Sequence, residues 1–333
     1  MLSLGVECTA HTLGIGICDR RSILGSWKSV YVPKEGGIVP REAAENHLKN
    51  FAPLLKRAVA ESGISLEDVD LFSFSRGPGL GHTLRVGAVG TRYLALKYGK
   101  PVIGVNHCVA HVEVGKLLTG ARDPVVLYVS GGNTQILAWV GGRYRTFGET
   151  LDIGLGNALD VFARECGLPH PGGPKVEELA REGKYVKLPY TVKGMCFSFS
   201  GIVSEAVRLF KRGVKLEDLC FSVQETLFAM VTEALERAVA HTGKEEVLLT
   251  GGVAANSRLK EMVRVMCEER GAVFHAVPAE YAGDNGAMIA WTGILAHSSG
   301  AKYPESVDPM WRTDEVDTPW IKGGDQRDRG DGC

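Results

Sequence analysis

Leu2-Ser-Leu-Gly-Val-Glu-Cys-Thr-Ala-His-Thr-Leu-Gly-Ile-Gly-Ile-Cys18 opens the chain as two short apolar runs around a polar turn. Leu2–Val6 and Leu13–Cys18 are bounded as strands are, and Glu7–Thr12 is the turn that joins them. The pattern returns with Val125–Val129, the turn Ser130-Gly-Gly-Asn-Thr-Gln135, and Ile136–Val140, which runs through Gly141-Gly142 into another strand. A hairpin repeated at that separation predicts an internal duplication, one copy opening each half. On pattern alone, coincidence between two short hairpins stays open beside it.

Working outward, the spacing predicts a helix over 39–62, with Pro40 in its first turn and Gly63 after its end. Val69–Phe74 alternates as a strand does, and Gly77-Pro-Gly-Leu-Gly81 leads into a helix over 83–98. A glycine turn before a helix suits phosphate. Gly87 and Gly90 inside the helix favour close packing instead. Pro101–Val105 reads as a buried strand, and Asn106-His107-Cys108-Val109-Ala110-His111 follows it. His107 and His111 are four apart, so on a helix they share a face and can grip one metal ion. A helix start capped by Asn106, with two ordinary polar side chains, is the other reading.

In the second half a helix is expected over 152–166, with Asp152, Gly156 and Asp160 on one face. Pro169-His-Pro-Gly-Gly-Pro174 reads as a rigid loop before a helix carrying Glu177 in its first turn, a place that suits an acidic surface group. A long amphipathic helix covers 219–241. Val247–Thr250 is a buried strand leading through Gly251-Gly252 to a helix over 258–270 capped by Asn256 or Ser257. A strand over 272–277 precedes Asp284-Asn-Gly286 and a helix over 287–297, for which Asp284 is a candidate N-cap. Residues 323–333 are Gly/Asp/Arg-rich and read as a disordered tail.

Composition bounds the chemistry. The 333 residues suggest two domains: 1–120, completed by 298–322, and 121–297. Glycine is high, 42 residues or about 13% against an average near 7%, which suggests tight turns and close backbone approaches, as where main chain holds phosphate. The net charge is −1, so nucleic acid would need a local basic patch. Segment 181–215 is the best candidate, with eight Lys/Arg against Glu182 and Glu205. The eight cysteines form no Cys-x-x-Cys pair, which argues against a thiolate zinc site and for buried thiols in a reducing compartment. No signal peptide is read at the start and no apolar run approaches a membrane span, so a cytoplasmic location is expected.

Nine segments together resemble a known family: GVECTAHTLGIGI (5–17), FSRGPGLGHTLRVG (74–87), GVNHCVAHVE (104–113), LYVSGGNTQ (127–135), ETLDIGLGNALDVFAR (149–164), PGGPKVEELA (171–180), KGMCFSFSG (193–201), TGGVAANSRL (250–259) and DNGAMIAWTG (284–293). They resemble the catalytic subunits of tRNA threonylcarbamoyltransferases, once described as O-sialoglycoprotein endopeptidases. The opening ECTAHT and the histidine spacing favour the archaeal and eukaryotic branch of the KEOPS complex. The resemblance implies an α/β, duplicated actin-like ATPase (ASKHA) fold with two lobes around a nucleotide cleft. It implies transfer of threonylcarbamoyl from its adenylate to the exocyclic amine of the adenine beside the anticodon, in tRNAs that read ANN codons. It implies a divalent metal, Fe2+ favoured over Zn2+, on His107, His111, Tyr128 and Asp284, the two histidines being catalytic through it. An adenine nucleotide, ATP or threonylcarbamoyl-AMP, would contact Tyr128, Val129, Ser130, Gly131, Gly132, Asn133, Asp160, Gly173, Glu177 and Asn256. Implied partners are tRNA and the kinase/ATPase, dimerising and accessory subunits of KEOPS. No kinase-like stretch follows residue 297, so the kinase is expected as a separate chain.

Three rivals remain at this level, one of them a nucleotide-gated scaffold that only recruits partners. A small-molecule kinase of the same fold would use an acidic residue near the first hairpin, such as Glu7, but gives the histidine pair no task. A metallopeptidase lacks its His-Glu-x-x-His helix.

Overall fold

A computed structural model describes residues 1–33 and 37–322; the tail expectation for 323–333 lies outside them. The chain forms β1 (Ser3–Glu7), β2 (Thr12–Cys18), β3 (Ile23–Val30), α1 (Pro40–Ser62), β4 (Leu71–Gly77), α2 (Gly81–Tyr98), β5 (Val102–Asn106) and α3 (His107–Thr119). There follow β6 (Val125–Val129), β7 (Thr134–Val140), β8 (Arg143–Glu149), α4 (Leu155–Glu165), α5 (Gly172–Ala180), β9 (Val192–Lys193), β10 (Cys196–Phe197) and α6 (Ser200–Lys211). The last elements are α7 (Leu216–Thr242), β11 (Glu246–Thr250), α8 (Ser257–Arg270), β12 (Val273–Ala276), α9 (Ala279–Ala282) and α10 (Gly286–Ser298).

Two five-stranded sheets share one strand order. The first runs β3-β2-β1-β4-β5 and the second β8-β7-β6-β11-β12, each position of one matching the same position of the other. In each, an antiparallel hairpin (β1–β2, β6–β7) is extended by parallel strands on the far side of its first strand. The repeated hairpin is therefore the visible part of a duplication that covers all five strands. The third strand of the first copy, β3, was not read from sequence.

Two compact units divide the chain: Met1–Glu113 with Trp139–Arg145 and Asn285–Cys333, and Val114–Ala138 with Thr146–Asp284. Sequence grouped 287–297 with the second half, whereas α10 belongs to the first unit. The reason lies in glycine. An ideal Cβ on Gly5 would lie 2.2 Å from the Ala290 nitrogen, and one on Gly16 would lie 2.0 Å from that of Ala287. The glycines of β1 and β2 let the α10 backbone lie directly on the sheet. Part of the glycine content attributed to phosphate thus serves helix packing. Gly87 and Gly90 do the same: their Cβ atoms would strike Cys8 and the Phe51 ring.

The core of the first unit gathers Leu4, Val6, Leu13, Ile15, Ile17, Phe72 and Leu94. That of the second is larger and centres on α7, whose Val223, Leu227, Phe228, Val231 and Leu235 pack with Leu127, Phe162, Phe197 and Leu249. That packing explains why α7 reaches 27 residues where its amphipathic pattern marked 219–241.

Candidate metal centre and nucleotide-binding loops

β5 ends at Asn106 and α3 starts at His107 without a linker. The helix start is capped as the sequence suggests. Asn106 Oδ1 accepts from Val109 N–H at 3.1 Å and caps the helix, while its Nδ2 donates to the Trp311 carbonyl at 3.0 Å. His107 and His111 meet edge to face, ring centroids 4.7 Å apart, and both are buried. Behind His107 stands Glu7, fully buried at the end of β1. Its Oε2 lies 3.0 Å from His107 Nδ1. The other oxygen of Glu7, Oε1, accepts from Thr9 N–H at 2.7 Å and Thr9 Oγ1–H at 2.5 Å.

Asp284 is bonded to Asn285, and it is Asn285, not Asp284, that caps α10, its Oδ1 accepting from Met288 N–H at 2.9 Å. One ligand atom each from His107, His111 and Asp284 lies within 4.8 Å of the others. Two imidazoles and a carboxylate, the histidines excluded from water, form a nitrogen/oxygen donor set that suits Fe2+ or Zn2+ and leaves coordination positions for substrate. Tyr128 is fully buried on β6, one residue from its end and in register with Thr250 of β11.

The residues expected around a nucleotide collect within the second unit, at the C-terminal ends of β6 and β11 and the starts of three helices. After Val129 the chain closes a tight turn: Ser130 N–H donates to the Asn133 carbonyl at 2.8 Å, and Asn133 N–H to Ser130 Oγ at 3.0 Å. Gly131 and Gly132 are exposed, with open space where a Cβ would stand. Gly251 at the end of β11 has φ 97°, and a Cβ there would lie 2.2 Å from the Val129 carbonyl oxygen, so only glycine lets the two strand ends approach. The first N–H groups of α4 bond the same turn, Gly156 N–H to Ser130 O and Asn157 N–H to Gly131 O, both at 3.1 Å.

Asp160 on α4 accepts from Gly172 N–H at 2.7 Å and so holds the start of α5. Gly173 follows in that first turn. Glu177 on α5 accepts from Ser257 N–H at 2.9 Å and from the Ser257 hydroxyl at the start of α8. Asn256 caps α8 through Oδ1, which accepts from Arg258 and Leu259 N–H groups at 2.9 and 3.1 Å, and its Nδ2 donates to Gln224 at 3.1 Å. Asp160, Gly173, Glu177 and Asn256 are thus linked hand to hand by helix starts. Strand ends and helix N-termini carry N–H groups and dipoles suited to an anionic ligand.

Two sequence expectations change. Asp152 is not on α4, which begins at Leu155. Its carboxylate accepts from Ile153, Phe199 and Ser200 N–H groups and the Ser200 hydroxyl, tying the start of α6 across the fold. Burial raises its pKa, but these donors outweigh it and hold it at about 2. Glu177 lies in the second turn of α5, because the helix starts at Gly172 and takes Pro174 into its first turn, where a missing N–H costs nothing. Sequence offers Glu7 only as the acidic residue of a kinase. Its bond to His107 spans a hundred residues, and no local pattern announces it.

Comparison with known proteins agrees with this architecture. The model of the family described as TsaD: tRNA N6-adenosine threonylcarbamoyltransferase matches residues 23–291. A protein of Thermococcus kodakarensis named tRNA N6-adenosine threonylcarbamoyltransferase is 56% identical over 325 residues, covering 96% of this chain and 100% of its own. A protein of the same name from Archaeoglobus fulgidus is 56% identical over 324 residues, with the same coverage of both chains. A Methanobrevibacter smithii protein named probable bifunctional tRNA threonylcarbamoyladenosine biosynthesis protein is 54% identical over 329 residues. The match spans 98% of this chain and 61% of that longer one. Among solved structures, full-length HypF in a phosphate- and nucleotide-bound form aligns with TM-score 0.62 at 12% identity, covering 90% of this chain and 47% of that one. The activator of the 2-hydroxyisocaproyl-CoA dehydratase from Clostridium difficile, with bound ADPNP, aligns with TM-score 0.52 at 12% identity, covering 91% and 99%. At such identity they show the fold alone, the duplicated actin-like ATPase (ASKHA) fold. The sequence relatives show more: the chain belongs to the tRNA N6-adenosine threonylcarbamoyltransferase family of transferases.

Proposed function

We propose that the chain is the metal-containing catalytic subunit that transfers threonylcarbamoyl from its adenylate to the exocyclic amine of the adenine beside the anticodon. The observation that carries this reading is the buried His107–His111 pair with Asp284, within a chain of this family. In it, His107, His111, Asp284 and Tyr128 hold one divalent ion, Fe2+ in preference to Zn2+, which when bound supplies Lewis acidity toward donor oxygens. The turn Ser130–Asn133, Gly173 and Asn256 at the starts of α5 and α8, and the side chains of Asp160 on α4 and Glu177 on α5 hold the adenylate, main-chain N–H groups facing phosphate and the carboxylates facing ribose hydroxyls. Anchoring the AMP part there fixes the carbamoyl carbon for attack by the adenine amine, with AMP as the leaving group.

The kinase alternative needs a free carboxylate at Glu7. Both of its oxygens are engaged by Thr9 and His107, which counts against that reading. For tRNA, the basic segment supports contact: Arg181, Lys184, Lys187, Lys193, Lys211 and Arg212 are exposed and make no ion pair among the described residues. For the dimerising subunit, support comes from the exposed apolar stripe of Val89, Tyr93 and Leu96 on α2 beside Leu48 of α1. The kinase/ATPase and accessory subunits of KEOPS complete the proposed assembly, with the cytoplasm as its place of action. Among the described residues, no helix is long and apolar enough to cross a membrane.

The test is transfer of labelled threonylcarbamoyl to tRNA, with metal measured on the same preparation. The double variant His107→Ala, His111→Ala is expected to lose both. Full transfer by the metal-free double variant would overturn the reading.

A further inference from the structure

We infer that Glu7 is a positioning residue that fixes the tautomer of His107, keeping the proton on Nδ1 and leaving Nε2 unprotonated for a metal. The inference rests on the metal reading above and assigns Glu7 a task within it.

The argument starts from what each atom can donate. A carboxylate oxygen only accepts. With Glu7 Oε2 3.0 Å from His107 Nδ1, the pair makes a good bond when Nδ1 carries the proton and a repulsive lone-pair contact when it does not. A neutral imidazole has one N–H, so a proton fixed on Nδ1 empties Nε2. The empty nitrogen is the one able to bind a cation, and a carboxylate behind a metal-bound histidine also raises its basicity.

Glu7 itself is held in place by Thr9. Thr9 N–H and Thr9 Oγ1–H both reach Oε1, at 2.7 and 2.5 Å, so the carboxylate cannot rotate without losing two donors. Burial adds a second constraint. Glu7 is fully buried and His107 5% exposed, so water cannot supply an alternative partner to either.

This geometry makes the outcome of one near-isosteric change specific. In Glu7→Gln the amide has one oxygen and one NH2 to place. The Thr9 backbone N–H cannot accept, so the oxygen must stay on the Thr9 side and the NH2 must face His107 Nδ1. Nδ1 then has to accept, the proton moves to Nε2, and the metal-binding nitrogen is blocked. A structural role for Glu7 would not predict an inverted tautomer.

The experiment uses the full chain, stripped of metal with chelator and labelled with 15N-histidine. Long-range 1H–15N correlation, with the His107 signals identified by their loss in His107→Ala, reads the tautomer directly. Titration with Co2+ against a competing chelator reads affinity. Expected are Nδ1–H for His107 in the native chain and Nε2–H in Glu7→Gln. Co2+ affinity should fall at least 10–100-fold with the melting curve retained, the range for loss of a carboxylate behind a metal-bound histidine. Native affinity and an unchanged tautomer in Glu7→Gln would overturn the inference while leaving the metal reading standing. A native chain that binds no Co2+, Zn2+ or Fe2+ would overturn both. Should Glu7→Gln fail to fold, Glu7→Asp carries the test. One methylene shorter, its carboxylate keeps the Thr9 donors but withdraws from Nδ1, so the Nδ1–H preference and the affinity should both decline. Retention of both would overturn the inference equally.

Discussion

Gly16→Ala tests the claim that α10 is seated by bare backbone. The new Cβ would stand 2.0 Å from Ala287 N, 2.3 Å from Gly286 C and 2.4 Å from Ala287 Cα. All three are main-chain atoms, so no rotamer change relieves the clash. The helix and sheet must part by more than an ångström to restore van der Waals contact. A gap of that size forfeits a quarter to a half of the dispersion energy of the neighbouring atom pairs. It also stretches the 3.3 Å bond from the Cys18 thiol to the Ala287 carbonyl. Overpacking usually costs about 1–3 kcal/mol, and an immovable backbone puts this case near the top, at about 3 kcal/mol. For a unit of this size that lowers Tm by roughly 6–12 °C. Asn285 would shift with α10 and take Asp284 along, so metal affinity should fall in the same variant. The assay is a thermal melt with metal titration, and Gly201→Ala is the control. Gly201 lies in α6 with open space at its Cβ, so that change should leave stability the same or slightly higher. A Gly16→Ala melt within about 1 °C of the native chain would refute the packing argument.

Two further outcomes follow from caps. Asp152→Asn should cost about 1–2 kcal/mol at neutral pH, from weakened bonds to the start of α6. Because the folded carboxyl is held at about 2, below its ordinary 3.8, the stabilisation is complete above about pH 5 and is lost as pH falls toward 2. Urea melts of native chain and variant should therefore converge on acidification, and a constant gap down to pH 2 would contradict this. Asn256→Ala removes two cap bonds on α8 and leaves the buried Gln224 oxygen without its donor, a loss of about 2 kcal/mol. Calorimetric melting, with nucleotide titration alongside, should show both stability and nucleotide affinity reduced; an unchanged melt would be inconsistent with the cap.

What could be read from sequence was local. The two hairpins were legible because each is a pair of apolar runs around a polar turn, and α1 because Pro40 and Gly63 mark its ends. The histidine pair was legible from its four-residue spacing. What failed in the residue-by-residue reading turned mostly on partners outside the local pattern. β3 mixes serine, lysine and tryptophan and is recognisable only by its pairing with β2. Asp152 fits the α4 face by spacing, yet its carboxylate is spent on residues 199 and 200. Asp284 and Asn285 are equally good caps on paper; the fold gives that task to Asn285. The glycines of β1 and β2 carry no sign of the helix that needs them, because that helix comes 269 residues later.

That separation bears on how the protein is made. The first unit is assembled from three stretches of chain, and α10 is in the last of them. At a synthesis rate of about 5–20 residues per second, the sheet face that receives α10 waits roughly 13–54 s after it is translated. During that interval the bare glycine backbone of β1 and β2, flanked by Val6, Ile15 and Ile17, has no cover of its own. Most of the second unit leaves the ribosome in the meantime, so the half of the protein that begins first is finished last. The glycine seat on β1 and β2 is therefore made long before the helix that fills it, and the order of synthesis leaves the first unit's sheet to be closed by its last stretch of chain.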